Sequence, residues 1–359
     1  MHRRTFTRAL ATIAAVTTLV AVAGCSDDSS DASSGGGQSL EKITYLTSFG
    51  TFGRDAYAYV AKEKGYFRDA GFDVEIKPGS GTLDNLKAVV GGQAQFTPLD
   101  LTGLLLAAGG KQPITGFTAV GGIQQRTMAA IISLEGNNIA TPKDLEGKTL
   151  TDSPSSVVRN LFPTYAKAAN IDYTKVKWQN GTPQTLMGTL ASGKTAGIGQ
   201  FVVGKPTVEF IAKGKKAVVL PYSDYLQDLY GNVLITSTQY AKANPEKTKK
   251  FTEALLKGLN DSITKPAEAG EILKKYVPTA NPQAAAAELT LMEPFVRSAA
   301  ACGFAVGTYF FRISPASAGL VIESFRPFST ASVNFRVLSG LDLAYCVEVI
   351  STLPYRSCR

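Results

Sequence analysis

The chain has 359 residues and a formal net charge of +8, which falls to +5 when the three arginines before residue 25 are removed. This mild charge is spread along the sequence and excludes an extended nucleic-acid-binding surface. His2 is the sole histidine, and no cysteine lies between Cys25 and Cys302. The main body therefore contains no Ser-His-Asp triad, no Cys-His pair and no histidine metal ligand. We expect no cofactor and no metal, and a binding protein rather than an enzyme.

The first 25 residues have the pattern of an export signal. A basic start is followed by an apolar core at about residues 9–23 and then by Val22-Ala23-Gly24-Cys25. This order resembles a bacterial lipoprotein signal, which implies a signal peptide at 1–24 and a lipidated Cys25. Residues 25–40 are then a flexible, polar tether. We expect a protein anchored by lipid alone on the extracytoplasmic face of the cell membrane; the alternative is a plain cleaved signal.

Strand and helix signals alternate through the next sixty residues. The apolar periodicity predicts strands at 43–46, 74–76 and 94–97, with helices at 55–64 and 83–90 between them. Such a βαβαβ unit implies a parallel sheet with right-handed crossovers.

The same order recurs about a hundred residues later. Strands are predicted to begin at 148, 176 and 196, with a helix opened by Ser153-Pro154 and another around 186–190. A returning strand at 232–236 and long helices at 245–276 follow. Two similar units predict two α/β lobes, and the ligand site of such sheets lies beyond the carboxyl ends of the strands.

Several short motifs carry a family resemblance across residues 41–295. The motifs are YVAKEKGYF at 59–67, GFDV at 71–74, the pattern ending in AQF at 86–96, PxDLxGK at 142–148 and LASGK at 190–194. They resemble substrate-binding proteins of ABC importers, in the nitrate/sulfonate/taurine and thiamine-pyrimidine group.

The resemblance implies a type II periplasmic-binding-protein fold, with two lobes and a ligand cleft between them. It places lobe one at 41–137 plus 231–295 and lobe two at 138–230. It also implies a monomer that delivers a small molecule to an ABC permease with its ATPase. A fungal branch of this family is an enzyme that consumes its own histidine and carries a cysteine-rich iron motif, and the mature chain has neither. The rival hypotheses are an exported enzyme that uses carboxylates alone and a ligand sensor for a membrane receptor.

The loop at 48–55 is the first candidate for ligand contact. Phe49 or Phe52 could stack on a planar ring, Arg54 could pair with an anion, and Asp55 could accept a hydrogen bond from an amino group. The alternative is structural: Asp55 caps the helix, Arg54 pairs with it, and the phenylalanines pack.

Further candidates lie at strand ends, helix starts and the expected crossings between lobes. Asp100 is also expected to be a helix N-cap, and the serines could bind an anion or carbonyl at a helix N-terminus. Tyrosines near the return crossing are as compatible with hinge packing as with stacking. These candidates are Thr82, Asp100, Gln124, Arg126, Ser153, Ser155, Ser156, Gln200 and Tyr222.

The residue types leave two ligand classes open. The aromatic and amide side chains favour a small planar nitrogen heterocycle, such as a thiamine pyrimidine precursor. Arg54, Arg126 and the serines favour a sulfonate, taurine or nitrate.

The final segment, 296–359, departs from the rest of the chain. It contains no lysine but holds Cys302, Cys346 and Cys358. Helical periodicity is lost, and 303–311 and 333–349 predict short strands at best. One hypothesis is a frameshift near Arg297; the other is an unusual extension closed by a disulfide among the three cysteines, with one left unpaired.

Overall fold

The computed structural model describes residues 39–227, 229–296, 310–316, 319–325 and 334–338. The predicted signal, Cys25 and the three C-terminal cysteines lie outside these residues. Within the described part, no helix combines the length and apolar character needed to span a bilayer.

Strands and helices alternate from Glu41 onward, as the apolar periodicity predicts. The strands are β1 Glu41–Leu46, β2 Phe49–Gly50, β3 Phe72–Lys77, β4 Gly79–Ser80, β5 Thr97–Asp100, β6 Phe117–Gly122, β7 Ala129–Leu134, β8 Thr149–Asp152, β9 Lys177–Asn180, β10 Gly197–Phe201, β11 Ala217–Pro221, β12 Asn232–Ser237, β13 Phe310–Ala316, β14 Gly319–Phe325 and β15 Asn334–Leu338. The helices are α1 Ala56–Glu63, α2 Tyr66–Asp69, α3 Thr82–Val90, α4 Leu101–Gly109, α5 Val157–Ala168, α6 Pro183–Ala191, α7 Lys205–Ile211, α8 Thr238–Ala243, α9 Pro245–Thr264, α10 Pro266–Tyr276 and α11 Pro282–Val296.

The first lobe is built on β1, β3, β5, β6 and β12. β1 pairs in parallel with β3, and a bridge from Tyr45 to Phe96 connects β1 to the segment before β5. β12 lies antiparallel between β5 and β6. Beyond β6, the sheet continues with β13, β14 and β15, each antiparallel to the strand before it in the sheet.

The second lobe is built on a sheet with the order β11-β7-β10-β8-β9. β8 runs parallel to β9 and β10, whereas β7 runs antiparallel to both β10 and β11. The strand order thus repeats that of the first lobe, with β7 in the position that β12 holds there. The parallel pairing expected within the βαβαβ units is confirmed for β1 with β3 and for β8 with β9 and β10. β7 and β12 each enter their sheet from the other lobe and therefore run antiparallel to their neighbours.

Three predicted boundaries differ from the structure. The third strand begins at Thr97 instead of residue 94, although Gln95 still donates its N–H to the Thr44 carbonyl at 2.9 Å. α5 begins at Val157, and its N-cap is Ser156, not Ser153. Residues 129–134, assigned from sequence to lobe one, form β7 of the second sheet.

Aromatic side chains fill both lobes. Phe251 of α9 is fully buried and stacks on Phe96, with ring centroids 4.0 Å apart. It lies on the same apolar face of the helix as Leu255 and Leu259, as their helical spacing predicts. In the second lobe, Tyr165 and Tyr222 stack at the same separation. Each lobe therefore has a rigid interior against which the loops of the cleft are held.

Candidate functional site

Two chain segments cross between the lobes, residues 123–128 after β6 and residues 229–231 before β12. They lie side by side: the backbone N–H of Asn232 donates to Gln124 Oε1 at 3.1 Å, and that of Thr127 donates to the Leu229 carbonyl at 2.8 Å. Gln124 Nε2 also lies 3.5 Å from the sulfur of Met292. Gln124 therefore joins the two crossings.

A cavity lies between the lobes at the carboxyl ends of β5 and β10. It encloses about 220 Å³ of space between atoms, part of it open to solvent. One part of its lining is polar and another is apolar and aromatic, which suits a flat molecule with a polar edge. The polar lining consists of Ser48, Thr82, Asp100 and Asn232, and the apolar lining includes Phe49, Leu99, Val157 and Phe201.

Asp100 is the buried carboxyl of this cavity. It is the N-cap of α4, as predicted, with Oδ1 accepting from the Gly103 N–H at 3.2 Å and Oδ2 accepting from the Thr127 hydroxyl at 3.1 Å. Burial raises the pKa of Asp100 to about 6, against the lowering effect of these hydrogen bonds. Near neutral pH the carboxylate is mostly ionised and acts as an acceptor.

The buried side-chain amide of Asn85 holds the loop that carries Phe49. Asn85 Nδ2 donates to the carbonyls of Thr47 and Ser48, and its Oδ1 accepts from the Ser80 N–H at 2.9 Å. These bonds fix the loop after β1 against β4. The Phe49 ring then meets Phe201 of the second lobe edge-on, with centroids 6.0 Å apart.

Arg54 lies next to this aromatic contact but does not line the cavity. Its guanidinium carbon is 4.8 Å from the ring centroids of both Phe52 and Phe201. Nη2 donates to the Phe49 carbonyl at 2.6 Å, whereas Nε and Nη1 are buried and make no hydrogen bond among the described residues. Phe52 thus covers an arginine in this structure, and neither residue lines the cavity.

Two buried carboxyls accompany Arg54. Asp55 Oδ2 lies 4.0 Å from Arg54 Nε and accepts the Phe52 N–H at 3.0 Å. Burial raises the pKa of Asp55 to about 6 and that of Glu288 to about 7, although Arg54 lowers both. This arrangement matches the structural alternative for the loop, except that Asp55 caps the 3₁₀ turn at Gly53–Asp55 rather than α1.

The predicted serine site is occupied by the other lobe. Asp84 donates its N–H to Ser155 Oγ at 2.7 Å, and Leu83 donates its N–H to the Ser155 carbonyl at 3.3 Å. Ser153 Oγ lies 3.3 Å from the Ser80 carbonyl and donates to it. Ser156 caps its own helix by accepting from the Val158 N–H at 3.2 Å.

Asp152, at the end of β8, supports the serine turn at residues 153–156. Its Oδ1 accepts the Ser153 N–H at 2.7 Å. Oδ2 is buried without a partner among the described residues. Burial raises the pKa of Asp152 to about 7 despite this bond and the nearby Arg159.

The remaining predicted residues lie outside the cavity lining. Arg126 is exposed at the crossing, with its guanidinium 5.4 Å from the Phe295 ring. Gln200 is fully buried, and its Oε1 accepts the Phe201 N–H at 3.1 Å. Tyr222 donates its hydroxyl to the Val158 carbonyl at 3.0 Å inside the second lobe. Of the predicted residues, the lining includes Phe49, Thr82 and Asp100.

Sequence reasoning missed three residues that form or support the site. Asp152 stands at the carboxyl end of β8, so the strand-end rule that singled out Gln200 could have found it. Asn232 lies across the β5–β12 pair from Asp100, a proximity that the sequence does not reveal. Glu288 reaches Arg54 from α11, 234 positions away, and has no local signal.

Comparison with known proteins identifies the family. The sequence profile of the family described as NMT1/THI5 like matches residues 55–269. The chain belongs to the NMT1/THI5-like family. The family resemblance inferred from the short motifs is thereby confirmed.

Curated relatives of this NMT1/THI5-like chain have different activities in their names. The chain is 25% identical over 247 residues to 4-amino-5-hydroxymethyl-2-methylpyrimidine phosphate synthase of Aspergillus parasiticus, covering 65% of this chain and 70% of the relative. It is 22% identical over 237 residues to formylaminopyrimidine-binding protein of Halalkalibacterium halodurans, covering 66% and 71%.

Solved structures confirm the fold. The alkanesulfonate-binding protein SsuA from Xanthomonas axonopodis, bound to MOPS, matches with a TM-score of 0.56 at 16% identity. The match covers 70% of this chain and 83% of SsuA. The type II periplasmic-binding-protein architecture predicted for this NMT1/THI5-like protein is therefore correct.

Proposed function

We propose that the protein is the extracytoplasmic substrate-binding subunit of an ABC importer. It captures a small planar nitrogen-containing molecule, such as a thiamine pyrimidine precursor, and delivers it to the permease. The observation that carries this proposal is the cavity between the lobes, with Asp100 and Asn232 in its polar lining and Phe49 and Phe201 in its apolar lining. Both lobes contribute to it, as closure around a small molecule requires.

The lining chemistry favours an aminopyrimidine. An ionised Asp100 accepts a hydrogen bond from an exocyclic amine, and the Asn232 amide can both donate to and accept from a heteroaromatic edge. The two phenylalanines supply faces or edges for the ring. Both curated relatives described above have a pyrimidine in their names, which supports the same class.

A binding role is favoured over a synthase role by the composition of the chain. The resemblance to the fungal enzymes carries with it a consumed histidine and a cysteine-rich iron motif. This sequence has His2 as its sole histidine and no cysteine between Cys25 and Cys302. A ligand recovered unchanged after binding supports this assignment, and formation of a product overturns it.

Calorimetric titration with 4-amino-5-hydroxymethyl-2-methylpyrimidine tests the proposal. We expect saturable binding that weakens at least tenfold in Asp100→Asn, because the neutral amide replaces a charged acceptor. Asparagine still caps α4, so this variant should fold. Asn232→Ala should weaken binding as well, whereas Asn260→Ala on the exposed side of α9 should leave it unchanged.

Parallel titrations with taurine, an alkylsulfonate and nitrate distinguish the ligand classes. Binding of these anions without binding of the pyrimidine would contradict the proposed substrate and favour a sulfonate- or nitrate-binding protein. Normal pyrimidine affinity in both Asp100→Asn and Asn232→Ala would retain the ligand class but remove the cavity as its site.

The membrane anchor is proposed from the sequence pattern around Cys25. A lipid-anchored monomer stays close to its permease while its tether lets it diffuse locally. Intact-mass analysis of membrane-extracted protein should show loss of residues 1–24 and added acyl mass. Cys25→Ser should release the protein or stall its processing; full acylation of that variant contradicts the assignment.

A further inference from the structure

Helix α3 of the first lobe is capped by a residue of the second lobe. Its own N-cap position is Gly81, which has no side chain to accept hydrogen bonds. Ser155 supplies the missing acceptors: its hydroxyl receives the Asp84 N–H at 2.7 Å and its carbonyl receives the Leu83 N–H at 3.3 Å. Two free N–H groups in the first turn of α3 are therefore satisfied across the cleft.

We propose that Ser155 is an autoinhibitory latch that closes the cleft in place of ligand. Separating the lobes breaks its two bonds to α3 and the Ser153–Ser80 bond, and it leaves the first turn of the helix uncapped. The closed state is thus stabilised by the protein alone. A ligand must then compete with the latch, since binding requires a state that the latch disfavours.

The size of the cavity indicates that the latched state excludes ligand. Most of the 220 Å³ consists of narrow gaps between atoms and of open solvent, and the part wide enough for a molecule holds about one water. A substituted heteroaromatic ring is several times larger and enters after the lobes separate. In the latched state, Val157 at the start of α5 is held beside Thr82 at the start of α3, and both residues line the cavity.

The latch requires a glycine at position 81, because the two lobes approach closely there. Gly81 has a φ of +116°, and a Cβ there would lie 2.9 Å from the Ser155 carbonyl oxygen. A side chain at position 81 would therefore both strain the backbone and push the lobes apart. Asp152 holds the serine turn in position through its bond to the Ser153 N–H.

Hydrogen exchange of ligand-free protein tests the latch directly. The Asp84 and Leu83 amides should be protected in the wild type. In Ser155→Ala the Asp84 amide should exchange about tenfold faster, as expected for loss of a helix cap, and solution scattering should show a larger radius of gyration. Ser192→Ala, which alters an exposed hydroxyl at the end of α6, is the matched control.

Two results overturn the proposal. One is an Asp84 amide that exchanges at the unprotected rate in the wild type, which needs no variant and so stands even if Ser155→Ala fails to fold. The other is a folded Ser155→Ala protein with wild-type exchange and radius of gyration.

The competition between latch and ligand rests on the proposed function. A kinetic measurement tests the latch and the proposed ligand separately. Stopped-flow fluorescence with 4-amino-5-hydroxymethyl-2-methylpyrimidine should show association several-fold faster in Ser155→Ala than in the wild type. Slower association or weaker affinity in that variant would contradict autoinhibition. Absence of binding to either protein would overturn the proposed ligand, while the exchange experiment still decides the latch.

Discussion

The backbone N–H of Arg54 donates a hydrogen bond to Glu288 Oε2 at 3.0 Å. The other carboxyl oxygen of Glu288 accepts from the hydroxyl of Thr207 in α7. One fully buried carboxyl on α11 thus holds the turn before α1 and the start of α7 together. The fit is tight, since a Cβ on Gly53 would lie 2.5 Å from the Ala285 backbone.

Arg54→Met should destabilise the protein by about 3 kcal/mol at pH 8. The substitution removes the cation beside two buried carboxyls, and breaking a buried ion pair leaves charge without compensation. Urea denaturation at pH 8 and pH 5 measures the effect, which should be smaller at pH 5, where Asp55 and Glu288 are mostly protonated.

Adding Glu288→Gln to Arg54→Met should recover part of the loss, because the double variant has one buried carboxyl fewer. A double-mutant cycle at pH 8 quantifies the coupling. Additive effects of the two substitutions would show that Arg54 and Glu288 do not interact energetically.

The buried carboxyl of Asp152 should make stability fall as the pH rises from about 4 to about 7. Its pKa is raised from 3.8 to about 7 in the folded protein, so in this window the unfolded chain releases a proton that the native state retains. Between pH 5 and pH 8, Asp152 alone should reduce the free energy of unfolding by about 2–3 kcal/mol.

Comparison of the wild type with Asp152→Asn isolates that contribution. The variant cannot ionise at this position, so its free energy of unfolding should decrease less between pH 5 and pH 8. Equal pH dependence in both proteins would mean that Asp152 titrates normally.

Gly199→Ala should be strongly destabilising because a Cβ would lie 1.9 Å from Asp152 Oδ2. The carboxyl would have to move, and the serine turn with it. We expect a loss of more than about 1 kcal/mol in chemical denaturation. Gly188→Ala is a suitable contrast: it lies inside α6 with no atom within 4 Å of the new Cβ, and it should stabilise by about 0.5–1 kcal/mol.

Tyr222→Phe should lower stability without changing ligand affinity. The phenol donates to the Val158 carbonyl in the interior of the second lobe, so its removal should cost about 1 kcal/mol. The ring still stacks on Tyr165. Thermal denaturation and pyrimidine titration give the two readouts, and loss of affinity at unchanged stability would restore Tyr222 as a ligand contact.

Local pattern was sufficient to predict most of the early elements. The stripe containing Phe251, Leu255 and Leu259 is buried as its helical spacing requires. Asp100 caps α4 because an aspartate between a strand and an apolar helical run can satisfy the first free N–H groups of that helix. Such features depend on neighbours within a few positions, and one sequence is enough to reveal them.

Side-chain roles in the cleft were less accessible from the sequence. Phe52 and Arg54 have the residue types of a ligand site, yet the Arg54 guanidinium packs on the rings of Phe52 and Phe201. Ser155 has the setting of an anion site, yet it caps α3. In each case one partner comes from the other lobe, more than seventy positions away. Residue type alone cannot distinguish a ligand from a protein group as that partner.

The sequence by itself thus determined the alternation of strands and helices, the repeat of the α/β unit and the family, because these depend on periodicity and short motifs. Tertiary structure decided the reversed direction of β7 and β12, the pairing of Asp100 with Asn232 and the burial of Arg54 beside Glu288. The physical reason is that polar groups at strand ends must find partners when water is removed, and the crossing of the chain between lobes determines which partners lie within reach.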